Sequence, residues 1–301
     1  MRTDETLSVV QGTFRTADGT HIHFETHGSG PPLYICHGGP NATFSYLSES
    51  LKPLAHHFTL VYHDYRGSGR SGRAGPETYR FEQLAADLDD LRAFLGHNRI
   101  AILAHSLGGF VAQRYALQSG RHLDALILVA TTPCGSMKRL LVPTLRVLGP
   151  SRTARLIASS TGYVVRWAWR PETAERRRAR YRVWSLLQEG RPDRMKWVRA
   201  AERAAAMDNE NARYLEAEAY HTDLTHQLRD IRCPVLVLAG SLDAVFCAAQ
   251  VLYQRYCPSA RTVTFADVGH HPAIEDPEAF LKTVTEFLRG QYPPDDVGRT
   301  Y

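Results

Sequence analysis

The 301-residue chain is 44% hydrophobic and 22% charged, with 22 glycines and 16 prolines, a globular balance that excludes a disordered or fibrous protein. Its formal charge of +5 is unevenly placed: residues 134–222 hold 18 Lys and Arg against 9 Asp and Glu, and the remainder 18 against 22, which excludes a uniformly basic nucleic-acid binder. No run approaches the ~20 apolar residues of a membrane helix, the start MRTDETLS is polar where a signal peptide is apolar, and Cys36, Cys134, Cys233, Cys247 and Cys257 form no CxxC pair. A soluble cytoplasmic protein with buried thiols is expected, without a disulfide framework or a structural zinc site.

Taken in chain order, short apolar or β-branched runs predict strands at His21–Thr26, Leu33–Cys36, Phe58–Tyr62, Ile100–Ala104, Ala125–Ala130, Val235–Ala239 and Thr262–Phe265. Helical periodicities lie between several of them, the clearest over Phe81–Leu95, where Leu84, Leu88, Leu91 and Leu95 recur at spacings of three and four. Near-continuous apolar runs such as LILVA and VLVLA suit a sheet covered on both faces. The alternation predicts an α/β protein whose mostly parallel central sheet is flanked by helices.

Between Ala130 and Cys233 the strand signal stops, and Arg-rich, Ala-rich helical text replaces it. Because strands resume directly afterwards, this stretch reads as an inserted all-helical cap. The expected division is a core of residues 1–133 and 223–290, a cap of 134–222 and a flexible C-terminal tail of 291–301. Arginines of the cap read mainly as solvated charge on surface helices. Trp167, Trp169, Tyr163, Trp184 and Trp197 would offer aromatic walls to a pocket where they face inward, or pack the cap's own core.

The run IAILAHSLGG (Ile100–Gly109) passes from a buried strand through Ser106 into helical text, the strand-turn-helix setting of a nucleophile elbow. Residues two positions from such a serine must be small, because strand and helix pass closely there. Gly108 satisfies this on one side and Ala104 on the other.

A serine nucleophile needs a base, an acid that orients the base, and donors for the oxyanion. Asp243 follows the strand Val235–Ala239 in GSLD, and His270 follows Thr262–Phe265 in ADVGHHP, giving the chain order Ser, acid, His. His270 is preferred to His271 as the base, because His271 precedes Pro272 and is confined to extended backbone. Asp267 follows the wrong strand to be the acid. The oxyanion donors are expected from Leu107 N–H at the head of the helix and from Gly39 in HGGP, which follows Leu33–Cys36.

His37-Gly38-Gly39-Pro40, Asp64–Ser71 (DYRGSGRS), Ala104–Gly109, Gly240–Asp243 and Gly269–Glu275 together resemble the α/β-hydrolase superfamily over nearly the whole chain. HGGP followed by the DxRGxGxS loop resembles its proline iminopeptidase branch. The branch pattern differs here at Asn41, Leu107 and Ala104. The resemblance implies a cofactor-independent serine hydrolase whose helical cap carries acids that hold a substrate amine.

Glu216 and Glu218 are the cap acids considered, and as residues i and i+2 of a helix at most one can face the site. Gly38, Pro40, Asn41, His105 and Glu216 are the candidate substrate contacts, with His105 also read as a packing residue. Gly67–Gly72 matches GxGxxG, yet no helix opens there, so the glycines read as a turn under the site, with Asp64 and Arg66 holding it. His21 and His23 share one strand face without a third ligand, so no metal is expected.

The substrate is expected to be a small ester, lactone or amide, or a short peptide, with anionic compounds favoured by the basic cap. The alternatives are an esterase or lactonase of a biosynthetic pathway, or a non-catalytic ligand-binding protein on the same fold. No nucleic-acid or membrane partner is expected.

Overall fold

The computed structural model describes residues 8–39, 42–136, 138–167, 179, 186–188, 190–205 and 209–291, with side chains omitted at 162, 164–167, 204 and 205. The expected tail from residue 292 onward, Pro40 and Asn41 therefore lie outside the described residues.

Eight strands form one sheet: β1 (Val9–Arg15), β2 (His21–His27), β3 (Pro32–Cys36), β4 (Thr59–His63), β5 (Ile100–His105), β6 (Leu123–Val129), β7 (Val235–Gly240) and β8 (Ala260–Phe265). Their spatial order is β1-β2-β4-β3-β5-β6-β7-β8. The β1–β2 and β2–β4 pairs are antiparallel, and every pair from β4 to β8 is parallel. All seven expected strands are present within one or two residues of their expected ends. β1 was not anticipated: as an edge strand it buries only Phe14, so its sequence carries no apolar run to betray it.

The successive side chains of each strand serve opposite faces. Leu33, Ile35, Leu103 and Ile127 pack on one side with α1 (Ser45–Leu51) and α9 (Pro277–Arg289). Tyr34, Ile102 and Leu128 pack on the other with α2 (Phe81–Phe94) and α3 (Gly108–Gln118). Helix α7 (Ala244–Tyr256) contributes to both clusters. The chain steps from β3 to one side to form β4, then to the other to form β5, so a crevice opens above the carboxyl ends of β3 and β5.

Between β6 and β7 run α4 (Leu141–Trp167), α5 (Met195–Ala205) and α6 (Ala212–His221). α4 breaks at Gly149, whose φ is +70°, and Pro150. Short α8 (Pro272–Glu275) follows β8. Among the described residues no helix is long and apolar enough to cross a membrane, and no three His, Cys, Asp or Glu side chains gather as a metal site. All five cysteines are free, four of them buried and Cys247 partly so.

Candidate active site

Ser106 follows β5 and begins the turn into α3 with φ of +53°, a left-handed conformation that is strained for a residue with a side chain. The turn is held by Ser106 N–H donating to Val129 O at 2.9 Å and Gly109 N–H donating to Ser106 O at 3.0 Å. Gly108 is required by close approach, since a Cβ there would lie 2.4 Å from Cys36 O and 2.6 Å from His37 O. The serine is thereby pushed out above the sheet, half-buried.

Asp243 caps α7 and is fully buried. Its Oδ2 lies 2.6 Å from His270 Nδ1, and His270 Nε2 lies 3.0 Å from Ser106 Oγ. A carboxylate only accepts, so Nδ1 bears the proton and Nε2 offers its lone pair to the serine hydroxyl. The structure thus joins the three side chains selected from sequence into one line. Asp267 is exposed, and its N–H donates to Ser241 Oγ.

The loop carrying His270 is fixed by a residue to which sequence reasoning gave no role. Buried Glu275 accepts from Gly269 N–H at 2.9 Å and Arg191 N–H at 3.3 Å through Oε2, and from His271 N–H at 3.0 Å through Oε1. Its signal was its place in the Gly269–Glu275 motif, but nothing in the text says where a carboxylate will turn. His271 faces the insertion instead of the serine: its Nε2 lies 3.1 Å from Glu202 Oε1 on α5. Pairing with His271 holds the Glu202 carboxyl below its ordinary range against the opposing effect of burial.

On the other side of Ser106, the loop after β3 passes very close. A Cβ on Gly38 would lie 2.8 Å from Ser106 Cβ, so only glycine fits. Gly38 N–H donates to Tyr46 Oη at 2.7 Å, Tyr46 Oη–H donates to His105 Nδ1 at 2.6 Å, and His105 Nε2–H donates to His270 O at 2.8 Å. The order of donors is forced, because the His270 carbonyl can only accept. Burial, then the nearby His270 and His271, push the His105 pKa well down, so the relay is neutral. The expectation that His105 contacts substrate gives way here: both ring nitrogens are engaged inside the protein and the residue is 3% exposed. Gly38 likewise serves the relay. Gly39 adopts φ of +63°, and neither Gly39 N–H nor Leu107 N–H donates to a protein acceptor among the described residues.

The cap acids are placed elsewhere. Glu216 is exposed, and Glu218 accepts from Phe81 N–H at 2.8 Å, at the start of α2. Trp197 is 57% exposed and Tyr163 half-buried, while Trp169, Trp184 and the Trp167 side chain lie outside the described residues. The insertion meets the site at Gln188, whose Nε2 lies 3.5 Å from His270 Nε2.

The loop Gly67–Gly72 supports the insertion from below. Buried Arg66 donates from Nε and Nη2 to both oxygens of Asp87 and from Nη1 to Asp18. Asn211, at the head of α6, donates to Arg66 O at 2.7 Å and to Ser68 Oγ at 2.8 Å. Asp64 Oδ2 accepts from Arg70 N–H at 3.0 Å. No helix opens at this loop: a short 3-10 turn at Pro76–Thr78 follows, and the next α-helix starts at Phe81.

A family model described as the α/β-hydrolase fold matches residues 31–277. A proline iminopeptidase of Heyndrickxia coagulans is 24% identical over 290 residues, covering 88% of this chain and 93% of that protein. The structure of a proline iminopeptidase-related protein from Thermus thermophilus superposes with a TM-score of 0.74 at 24% identity, covering 95% of this chain and 99% of that one. That of an esterase from Exiguobacterium antarcticum superposes at 0.70 with 21% identity, covering 93% and 100%.

Proposed function

We propose, from the premise that this chain belongs to the α/β-hydrolase fold family and is a hydrolase, that Ser106 is its nucleophile, His270 its general base and acid, and Asp243 the group that orients the imidazole. The observation that carries this reading is the unbroken line from Asp243 Oδ2 to His270 Nδ1 and from His270 Nε2 to Ser106 Oγ, 2.6 and 3.0 Å. Ser106 Oγ attacks a carbonyl carbon as its proton passes to His270 Nε2. Gly39 and Leu107 N–H groups stabilise the oxyanion, each worth about 3 kcal/mol in the transition state. His270 then protonates the leaving group, and water repeats the sequence to release the acid from the acyl-enzyme.

The helices between β6 and β7 act as a cap over this site and set what reaches it. The esterase and iminopeptidase among the similar proteins point to a small ester or amide as substrate, and a lactone is a cyclic ester. Neither Glu216 nor Glu218 is brought to Ser106 to hold an amine, and Glu202, the described insertion carboxylate nearest the site, is engaged by His271, which supports the ester side of that range. A fluorophosphonate probe tests the nucleophile: the wild type is expected to label with one equivalent and Ser106→Ala not at all. Equal labelling of both, or no labelling of the wild type, overturns the assignment.

A further inference from the structure

Gln188 is the one described side chain of the insertion within hydrogen-bonding reach of His270. Its position is built, as Leu186, Leu187 and Gln188 itself are tied to the turn that carries Asp243. Leu187 is buried and its carbonyl accepts from Ala244 N–H at 2.7 Å, and Gln188 pairs with Asp243 in an antiparallel bridge. Arg152 Nη2 donates to Leu242 O at 2.7 Å and to Leu186 O at 3.4 Å, tying both strands of the bridge together. Gln188 itself is half-buried.

The orientation of its amide follows from the acid. Asp243 fixes the proton on His270 Nδ1, so Nε2 presents a lone pair, and the amide must turn its NH2 towards it. At 3.5 Å this contact is at the outer limit of a hydrogen bond. The amide donor is therefore available to a third atom beside His270 Nε2. In a serine hydrolase that atom is the leaving atom of the substrate, because Nε2 must hand its proton to it.

We infer that Gln188 donates a hydrogen bond to the leaving atom and thereby selects oxygen leaving groups, making esters or lactones the substrate class in preference to amides. The inference rests on the serine hydrolase reading above. When the tetrahedral adduct collapses, the bond from carbon to the leaving oxygen breaks and its electron pair stays on oxygen. That oxygen takes the proton from His270 Nε2, and the oxyanion re-forms the carbonyl. An ester oxygen has a further lone pair that accepts from Gln188. The nitrogen of an amide adduct has a single lone pair, which takes the His270 proton and leaves nothing for the amide donor. Water entering the acyl-enzyme occupies the same place, accepting from Gln188 while donating to His270.

The test is the dependence of Gln188→Ala on the leaving group. Ethyl butyrate expels a poor leaving group that needs the donor, whereas 4-nitrophenyl butyrate expels a stable phenolate. The variant is expected to lower kcat/KM about tenfold on ethyl butyrate and about twofold on 4-nitrophenyl butyrate, the size of one neutral hydrogen bond differentially used. Wild type is expected to cleave ethyl butyrate faster than N-ethylbutyramide or a proline arylamide. Fluorophosphonate labelling to one equivalent shows that Gln188→Ala keeps its fold and nucleophile, because fluoride leaves without a proton. An equal fall on both esters, no fall on either, faster cleavage of the amides, or a wild type that labels yet turns over neither ester overturns the role of Gln188. Failure of the wild type to label overturns the serine hydrolase reading itself, so the two failures are distinguishable.

Discussion

The sheet and the helices inserted between β6 and β7 hold their positions in different ways. Around Ser106 the polar groups of the sheet and its loops are buried and answer one another: Asp243 with His270, Glu275 with the Gly269 and His271 N–H groups, Tyr46 with Gly38 and His105. The insertion exposes Leu141, Val142, Ile157 and Trp197 and is joined to the sheet at discrete polar points. These include Asn211 on Arg66 O, Arg152 on Leu242 O, Glu202 on His271 and Glu218 on Phe81. The Ser106 line thus lies among mutually satisfied buried groups, and the insertion is attached to them by separately replaceable contacts. The excess charge of the insertion also has local duties, since Arg139 pairs with Asp223 and Arg191 with Asp193.

That contrast can be broken most forcefully at Arg66. Arg66→Ala leaves Asp87 buried without its bidentate partner, and a urea titration should show a loss of about 3 to 5 kcal/mol. A loss near zero would mean that the loop beneath the insertion is not an integral part of the core. Tyr46→Phe is smaller: it strands Gly38 N–H and His105 Nδ1 and should cost about 1 to 3 kcal/mol, with a fall in kcat as the loop carrying Gly39 loosens.

The smallest effect lies where the insertion meets the sheet. Burial and the neighbouring Glu82 raise Glu218 to about 7. The folded protein therefore keeps a proton that the unfolded chain releases near 4.5, and stability should fall as pH rises from about 4.5 through about 7. Glu218→Gln retains an acceptor for Phe81 N–H and should flatten that part of the curve. Denaturation midpoints at pH 5 and pH 8 measure it, and an unchanged slope would assign the dependence to other groups.

Much of this was readable beforehand where local rules act. The buried strands announced themselves as apolar runs, and the Ser106 turn by small residues where two backbones cross. His270 was separable from His271 by the restriction Pro272 places on its neighbour. What stayed hidden depends on contacts across the fold. Glu275 and Tyr46 look like ordinary residues until the loops that need them are adjacent, and His105 becomes a relay only because Tyr46 and the His270 carbonyl flank it. Gln188 sits in text with no motif, and only its bridge to Asp243 brings it to the site. β1 escaped because an edge strand can be written in exposed residues.

The pairing of β6 with β7 joins Leu126–Val129 to Val235–Leu238, with the whole insertion threaded between them. Closing so long a loop has to precede the gain from the pairing, which slows assembly. Ser106 and the Val129 carbonyl that holds its turn lie in the first half of the chain, yet Asp243 and His270 come from the last fifth. On the proposed triad, a chain cut before β7 keeps Ser106 but lacks both its acid and its base.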